Sequence, residues 1–322
     1  MARQIVLGAG GIGRSTADAL AHAGHDVVLV SRSGRSSTHP AVQARSLDVS
    51  DMAALSRAAG GAATIINALN PPSYTAWDRD WPPMADAILA AAQSTGASLV
   101  TVSNLYLYGE VDAPMTEETA IAPNGVKGQA RAQMWANALA AHESGRVRAT
   151  EVRASDYIGP ATLTSSVLTT QVLPGLLAGK RPVLPFGRAD MPHSWTVDLD
   201  VARLITALVD RDEDADWGRP WHVPTAAPET VPGVCRLAAR AADLPDRSVR
   251  VLPRALVSVG GLAVPLFRAL WETRHQFERP FVIDGSAAQE RFGVTPTPLA
   301  DAVQRTVAAL GASSILAEPL TA

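Results

Sequence analysis

The sequence predicts an α/β protein, a Rossmann-type doubly wound parallel sheet with a smaller, mostly helical substrate-binding domain. Two observations predict it. Apolar, β-rich runs alternate with alanine-rich helical segments through the first half of the chain, and a glycine-spaced turn joins the first run to the first helical segment. Such alternation builds right-handed βαβ units whose strands are buried on both faces.

The elements follow in order. "RQIVLG", "DVVLVS", "VQARSLDV", "ATIINAL" and "SLVTVS" read as strands, apolar on both sides. "IGRSTADALAHAG" reads as a helix closed by a C-cap at Gly24. "WPPMADAILAAAQSTG" reads as another, with prolines tolerated near its start. "GRVRATEVRASDYIG" supplies a sixth strand and "RPWHVPT" a seventh. After Gly159-Pro160 prolines break the pattern more often. Residues 1–161 are therefore assigned to the dinucleotide-binding domain, with 194–228 returning to it. Residues 162–193 and 229–322 are assigned to the substrate-binding domain. Asp198 and Asp200 read as polar anchors at a helix start.

Composition excludes several classes of function. A chain of 322 residues with 47% hydrophobic content suits one large domain or two sharing a cleft. A net charge of −3 leaves no basic surplus for phosphates, which argues against a nucleic-acid partner. The single cysteine, Cys235, excludes an internal disulfide and a cysteine metal cluster, and no other metal constellation stands out. No run approaches the ~20 apolar residues of a membrane span. The nearest, "ALVSVGGLAVPLF" at 255–267, is broken by Gly260, Gly261 and Pro265. These features point to a soluble, cytoplasmic protein with a small-molecule substrate and no membrane partner; a homodimer is the commonest assembly for such a protein.

"VLGAGGIGRS" places Gly8, Gly10 and Gly13 in a GxGxxG turn that also holds Gly11, Ile12 and Arg14. Such a turn, directly after a strand and opening a helix, brings backbone N–H groups and a positive dipole end to a pyrophosphate. The second strand ends on Ser31-Arg32-Ser33, where NAD-preferring sites place a carboxylate on the ribose. Arg32, with Arg35 nearby, can meet a 2′-phosphate through charge-assisted hydrogen bonds. NADP(H) is the expected cofactor, and NAD(H) stays open. Strand ends also place Asp48 and Val49 at the adenine, and Asn67 and Ala68 along the ribose and pyrophosphate. Ser103, Ala154 and Ser155, ending the fifth and sixth strands, are further cofactor-side candidates.

Four stretches carry a resemblance. The glycine turn, "VTVSNLYLYGE" at 100–110, "EVRASDYIGP" at 151–160 and "HSWTVDLDVARLI" at 193–205 together resemble the extended short-chain dehydrogenase/reductase superfamily of epimerases and dehydratases. The likeness covers nearly the whole chain. It implies a Ser/Thr, a Tyr and a Lys acting together, the last two as YxxxK at the mouth of a helix. Here "KGQAR" stands at that place, so Lys127 falls on the tyrosine and Arg131 on the lysine. The Ser/Thr position falls on Asn104, beside Ser103. Two cations at i and i+4 share a helix face and repel. Lys127 is a candidate proton donor or ribose ligand. Tyr106 or Tyr108 could supply the displaced hydroxyl, and both are expected on one side of the fifth strand. His193 and Trp195, in the substrate loop, are candidates to line the substrate.

The expected activity is NADP(H)-dependent reduction of a carbonyl or activated alkene in a small molecule. Two alternatives stand beside it: a nucleotide-sugar epimerase or dehydratase, and a non-catalytic NmrA-like NADP-binding sensor.

Overall fold

The computed structural model describes residues 2–71, 73–253 and 271–313. Seven parallel strands form the central sheet. They are β1 (Arg3–Leu7), β2 (Asp26–Ser31), β3 (Gln43–Ser46), β4 (Thr64–Asn67), β5 (Ser98–Asn104), β6 (Ala149–Ala154) and a last strand, Pro220–His222. β1 lies between β2 and β4, so the chain winds outward in both directions from it. That is the topological switch point, where strand ends leave a crevice for a ligand.

Both faces of the sheet are covered except at its edge, where β3 is exposed along its length. Val6, Leu29 and Val100 pack under α1 (Gly11–His22) and the helix Asp198–Arg211. Ile5, Leu7 and Val28, one residue out of phase, pack under α2 (Met52–Ala59), α3 (Trp77–Thr95) and α4 (Val126–Glu143). Alternate residues of one strand thus enter two separate cores, and the sequence shows continuous apolar runs for that reason. α1 ends at His22, and Gly24 follows with φ +90°, the left-handed conformation of a helix terminus. A third core joins Leu173, Trp195, Phe277 and the helices Val231–Ala241 and Leu299–Gly311.

Two local expectations need correction. α3 begins at Trp77, so Pro82 and Pro83 lie in its second turn instead of near its start. Trp77 and Trp81 are both buried on one face a turn apart, which extends the helix backwards. The fifth strand stops at Asn104, and Tyr106–Tyr108 form a 3₁₀ turn. The Asn104 side-chain oxygen accepts the Tyr106 N–H at 3.2 Å and turns the chain away from the ladder. The two tyrosines therefore point in different directions.

Asp198 and Asp200 stand in the first turn of their helix but do not cap it; each ties a distant segment to the helix start. Asp198 accepts the Ala161 N–H at 2.7 Å, and Asp200 the Thr297 N–H at 2.8 Å. The apolar stretch 255–267 lies outside the described residues. Among the described residues no helix is long and apolar enough to cross a membrane, and no group of three or more side chains is arranged for a metal.

Candidate active site

The carboxyl ends of the strands open into a cleft of about 960 Å³. One half is built by backbone. Gly8, Gly10, Gly11 and Ile12 form its floor, with Ser31, Arg32, Ser33 and Arg35 at the end of β2. Asp48, Val49 and Ala68 complete the wall. A side chain at Gly10 would meet nothing, so this turn offers bare backbone to a ligand. A side chain at Gly13 would collide with the Gly8 carbonyl, so Gly13 serves the packing of α1 on β1 and stays out of the wall. Asn67 is also buried outside the wall; its side-chain oxygen accepts the Leu69 N–H at 3.2 Å and shapes the turn after β4. Arg14 lies behind the wall. Burial, and then the neighbouring Arg35 charge, press its guanidinium below the ordinary value. An anion at this corner would relieve that repulsion.

The other half is built by side chains. Ser103, Asn104, Tyr106, Arg131, Ala154, Ser155, Asp156 and Tyr157 line it, with Tyr74, Trp77, Gln276 and Phe281. The Ser103 and Ser155 hydroxyls are buried and have no hydrogen-bond partner among the described residues. Arg131, 2% exposed, gives its hydrogen bonds to the Val102 carbonyl at 3.3 Å and to Asn70 Oδ1 at 3.0 Å. Its guanidinium lies 5.2 Å from the Trp77 ring centroid and 4.5 Å from that of Trp81. Burial works against this charge, while Glu151, Tyr157 and Tyr106 oppose the fall.

Lys127 does not reach the cleft wall. Its ammonium meets Glu272 Oε2 at 2.9 Å and lies 4.6 Å from the Tyr74 ring centroid. The repulsion expected between Lys127 and Arg131 is avoided because the two side chains take separate partners. Tyr106 does reach the cleft, and its hydroxyl lies 3.1 Å from that of Tyr74. Burial pushes the Tyr106 phenol well above its ordinary value; Tyr74 and Asp156 act in the same direction and Arg131 against it. Burial pushes Tyr157 up to about 12.

Tyr108 belongs to a different network. Arg153 Nη1 donates to its hydroxyl at 2.7 Å, and the hydroxyl meets His222 Nε2 at 2.7 Å. Neither His193 nor Trp195 lines the cleft, because both are drawn into the third core. The His193 ring stacks on Trp195 at 4.3 Å and on Phe277 at 4.9 Å, and Trp195 Nε1 donates to the Glu229 carbonyl. In front of His193 stands Asp156, which does line the cleft, with its Oδ2 2.9 Å from His193 Nε2. Asp156 and Tyr157 are absent from the sequence-derived candidates although they follow the sixth strand directly, where the strand-end rule would have found them. No sequence signal singles out Tyr74, Gln276 or Phe281.

The residues present fit a dinucleotide. The bare turn at Gly10, the cationic corner at β2 and the unpaired Ser103 and Ser155 hydroxyls follow one continuous wall.

Several solved structures share the fold over almost the entire chain. A dTDP-glucose 4,6-dehydratase from Streptomyces venezuelae, solved with NAD, is 17% identical; the match covers 97% of this chain and 98% of that one, with TM-score 0.75. A UDP-glucuronic acid 4-epimerase from Bacillus cereus, in complex with UDP-glucuronic acid and NAD, is 15% identical over 96% and 99% of the two chains, with TM-score 0.78. A dTDP-glucose 4,6-dehydratase from Bacillus anthracis str. Ames, in complex with NAD, is 16% identical over 98% of each chain, also with TM-score 0.78. No curated protein matches the sequence. The profile of one family matches residues 5–223, well over half the chain and the central sheet from within β1 to the last strand, and the protein belongs to that family, the NAD dependent epimerase/dehydratase family.

Proposed function

We propose that the cleft binds a nicotinamide dinucleotide and that the protein is an enzyme transferring hydride to and from a hydroxylated small molecule, with nucleotide sugars as the favoured substrate class. The observation that carries this reading is the continuity of the cleft. It runs from a bare glycine turn to a buried end furnished with Tyr106, Arg131 and Asp156. Family membership and neighbours that are dTDP-glucose dehydratases and a UDP-glucuronic acid epimerase support epimerase or dehydratase chemistry. They support it better than the reduction of a carbonyl or activated alkene expected from the sequence.

A bound nicotinamide would supply the hydride acceptor and donor. The protein's own groups do the rest. Ser103 and Ser155 offer unspent hydroxyls along the wall. Arg131 spends its hydrogen bonds on neutral acceptors, so its charge remains available to an oxyanion. The Tyr106 phenol, pushed up by burial, holds its proton and is suited to donate a hydrogen bond to a substrate oxygen. Trp77 and Phe281 keep water from this end.

For the cofactor we infer a preference for NADP(H), supported by Arg32 and Arg35 at the end of β2. The structural neighbours were solved with NAD, so NAD(H) is the competing reading. Fluorescence titration with NADH and NADPH, followed by NMR of mixtures with UDP-glucose, UDP-glucuronic acid or dTDP-glucose, tests both statements. The expected result is dinucleotide binding and conversion of one sugar. Binding with NADPH oxidation only on a carbonyl panel would favour the reductase, and binding without any turnover the sensor. Binding of neither dinucleotide would remove the proposal.

A further inference from the structure

His193 is 1% exposed, and its Nδ1 faces the Gln276 carbonyl at 3.1 Å. A carbonyl only accepts, so Nδ1 carries the hydrogen of that contact. The opposite nitrogen, Nε2, lies 2.9 Å from Asp156 Oδ2. The pair lies off the ring's N–H axis, so neither an N–H···O nor an O–H···N hydrogen bond joins the two atoms. Two unprotonated acceptor atoms this close repel, and attraction between a doubly protonated ring and an ionised carboxylate would hold them together. The aromatic faces of Trp195 and Phe277 on the ring suit a cation.

Asp156 has one oxygen buried against this ring and stands in the cleft wall. Tyr74, Tyr106 and Tyr157 line the same cleft and feel its charge, and Trp195, Phe277 and Phe281 pack around the His193 ring. Lys127, at the position of the family's tyrosine, is turned to Glu272 and does not reach the wall. Asp156 is a carboxylate of this end of the cleft.

We propose that Asp156 is the proton-exchanging catalytic residue of this cleft and that His193, as an imidazolium, is the positioning residue that keeps it ionised and oriented. This rests on the hydride-transfer function proposed above. As the carbinol C–H bond breaks and hydride leaves for the nicotinamide, the hydroxyl proton passes to Asp156 and the C=O bond forms. When hydride returns to carbon, Asp156 gives the proton back to the oxygen. His193 keeps both ring protons throughout.

The test uses the full chain labelled with ¹⁵N-histidine, its His193 signal identified by loss in His193→Gln. At pH 7 the unmodified protein should show His193 protonated at both nitrogens, and Asp156→Asn should show a singly protonated ring. His193→Gln can fail to fold, so the isosteric Asp156→Asn is the deciding variant. It should turn over the converted nucleotide sugar about 10²–10⁴-fold more slowly, the usual acid–base contribution, while NADH and NADPH titrations stay unchanged. A singly protonated ring in the unmodified protein overturns the proposal, and so does an Asp156→Asn variant as fast as the parent. Failure of the parent to bind either dinucleotide instead overturns the function, and the spectrum still reports whether the charged pair exists.

Discussion

Glu272 holds Lys127 twice. Its Oε1 accepts the Lys127 backbone N–H at 2.7 Å, and its Oε2 takes the ammonium at 2.9 Å. Gly125, which precedes α4, supplies no side-chain cap, so this distant carboxylate does the work of an N-terminal cap and ion-pair partner together. Lys127 is thereby held as an architectural cation at the start of α4.

Lys127→Met tests that role, because it keeps the apolar stem and removes the charge. Breaking a fully buried pair costs about 3–5 kcal/mol; Glu272 retains some solvent contact, so about 1–3 kcal/mol is expected. The urea midpoint should fall while NADPH affinity holds. A roughly tenfold loss of NADPH affinity, about 1.4 kcal/mol, with an unchanged midpoint would return Lys127 to the cofactor.

The two tyrosines of the 3₁₀ turn should separate cleanly. Tyr106→Phe removes a hydroxyl from the cleft and should slow turnover with little change in stability. Tyr108→Phe leaves Arg153 and His222 without a shared buried partner, costing about 1–3 kcal/mol of stability and leaving turnover near normal. Paired melting curves and rates on both variants check this, and the reverse assignment would refute it.

Arg32→Glu should weaken NADPH by about 1.5–3 kcal/mol, the scale of a charge-assisted hydrogen bond, and disturb NADH much less. Equal NADPH and NADH curves on the unmodified protein would end the claim of preference.

His222 gives the protein a pH dependence of known sign. Burial first, and then the Arg153 charge, push its imidazole down from 6.5 to about 4. Its Nδ1 donates to the Asp284 carbonyl and its Nε2 accepts from Tyr108, so a second proton would displace the Tyr108 hydrogen bond. The unfolded chain binds a proton at this residue that the folded one refuses. Stability should therefore fall as pH drops from 6.5 towards 4, by up to about 3 kcal/mol from this residue, and level off below. Urea denaturation across that window measures it, and His222→Gln should flatten the slope.

The glycine-turn half of the cleft was legible in the sequence because backbone makes it. Spaced glycines and strand ends are local patterns, and they put Gly8, Gly10, Arg32, Asp48 and Ala68 on one wall. The side-chain half was legible only in part. Tyr106 and Asn104 line the cleft, but reading "LYLY" as strand gave Tyr108 the same direction, and the Asn104 hydrogen bond that turns the chain is a matter of side-chain geometry. His193 lies beside the cleft without lining it. Its neighbours Trp195 and Phe277 draw it into a core, and Asp156, 37 positions earlier, comes forward in its place. Such pairings join distant segments, and no periodicity or spacing encodes them.

The clasp at the start of α4 also bears on the order in which the molecule is made. The helix that carries Arg131 into the cleft has its first turn closed by a carboxylate 145 residues downstream. A ribosome releasing this chain from its N-terminus would expose the glycine turn and most of the sheet long before Glu272 emerges. The nascent protein would then have a formed glycine-turn wall and an unclosed α4, so the second half of the cleft would be completed only once the segment around Glu272 follows.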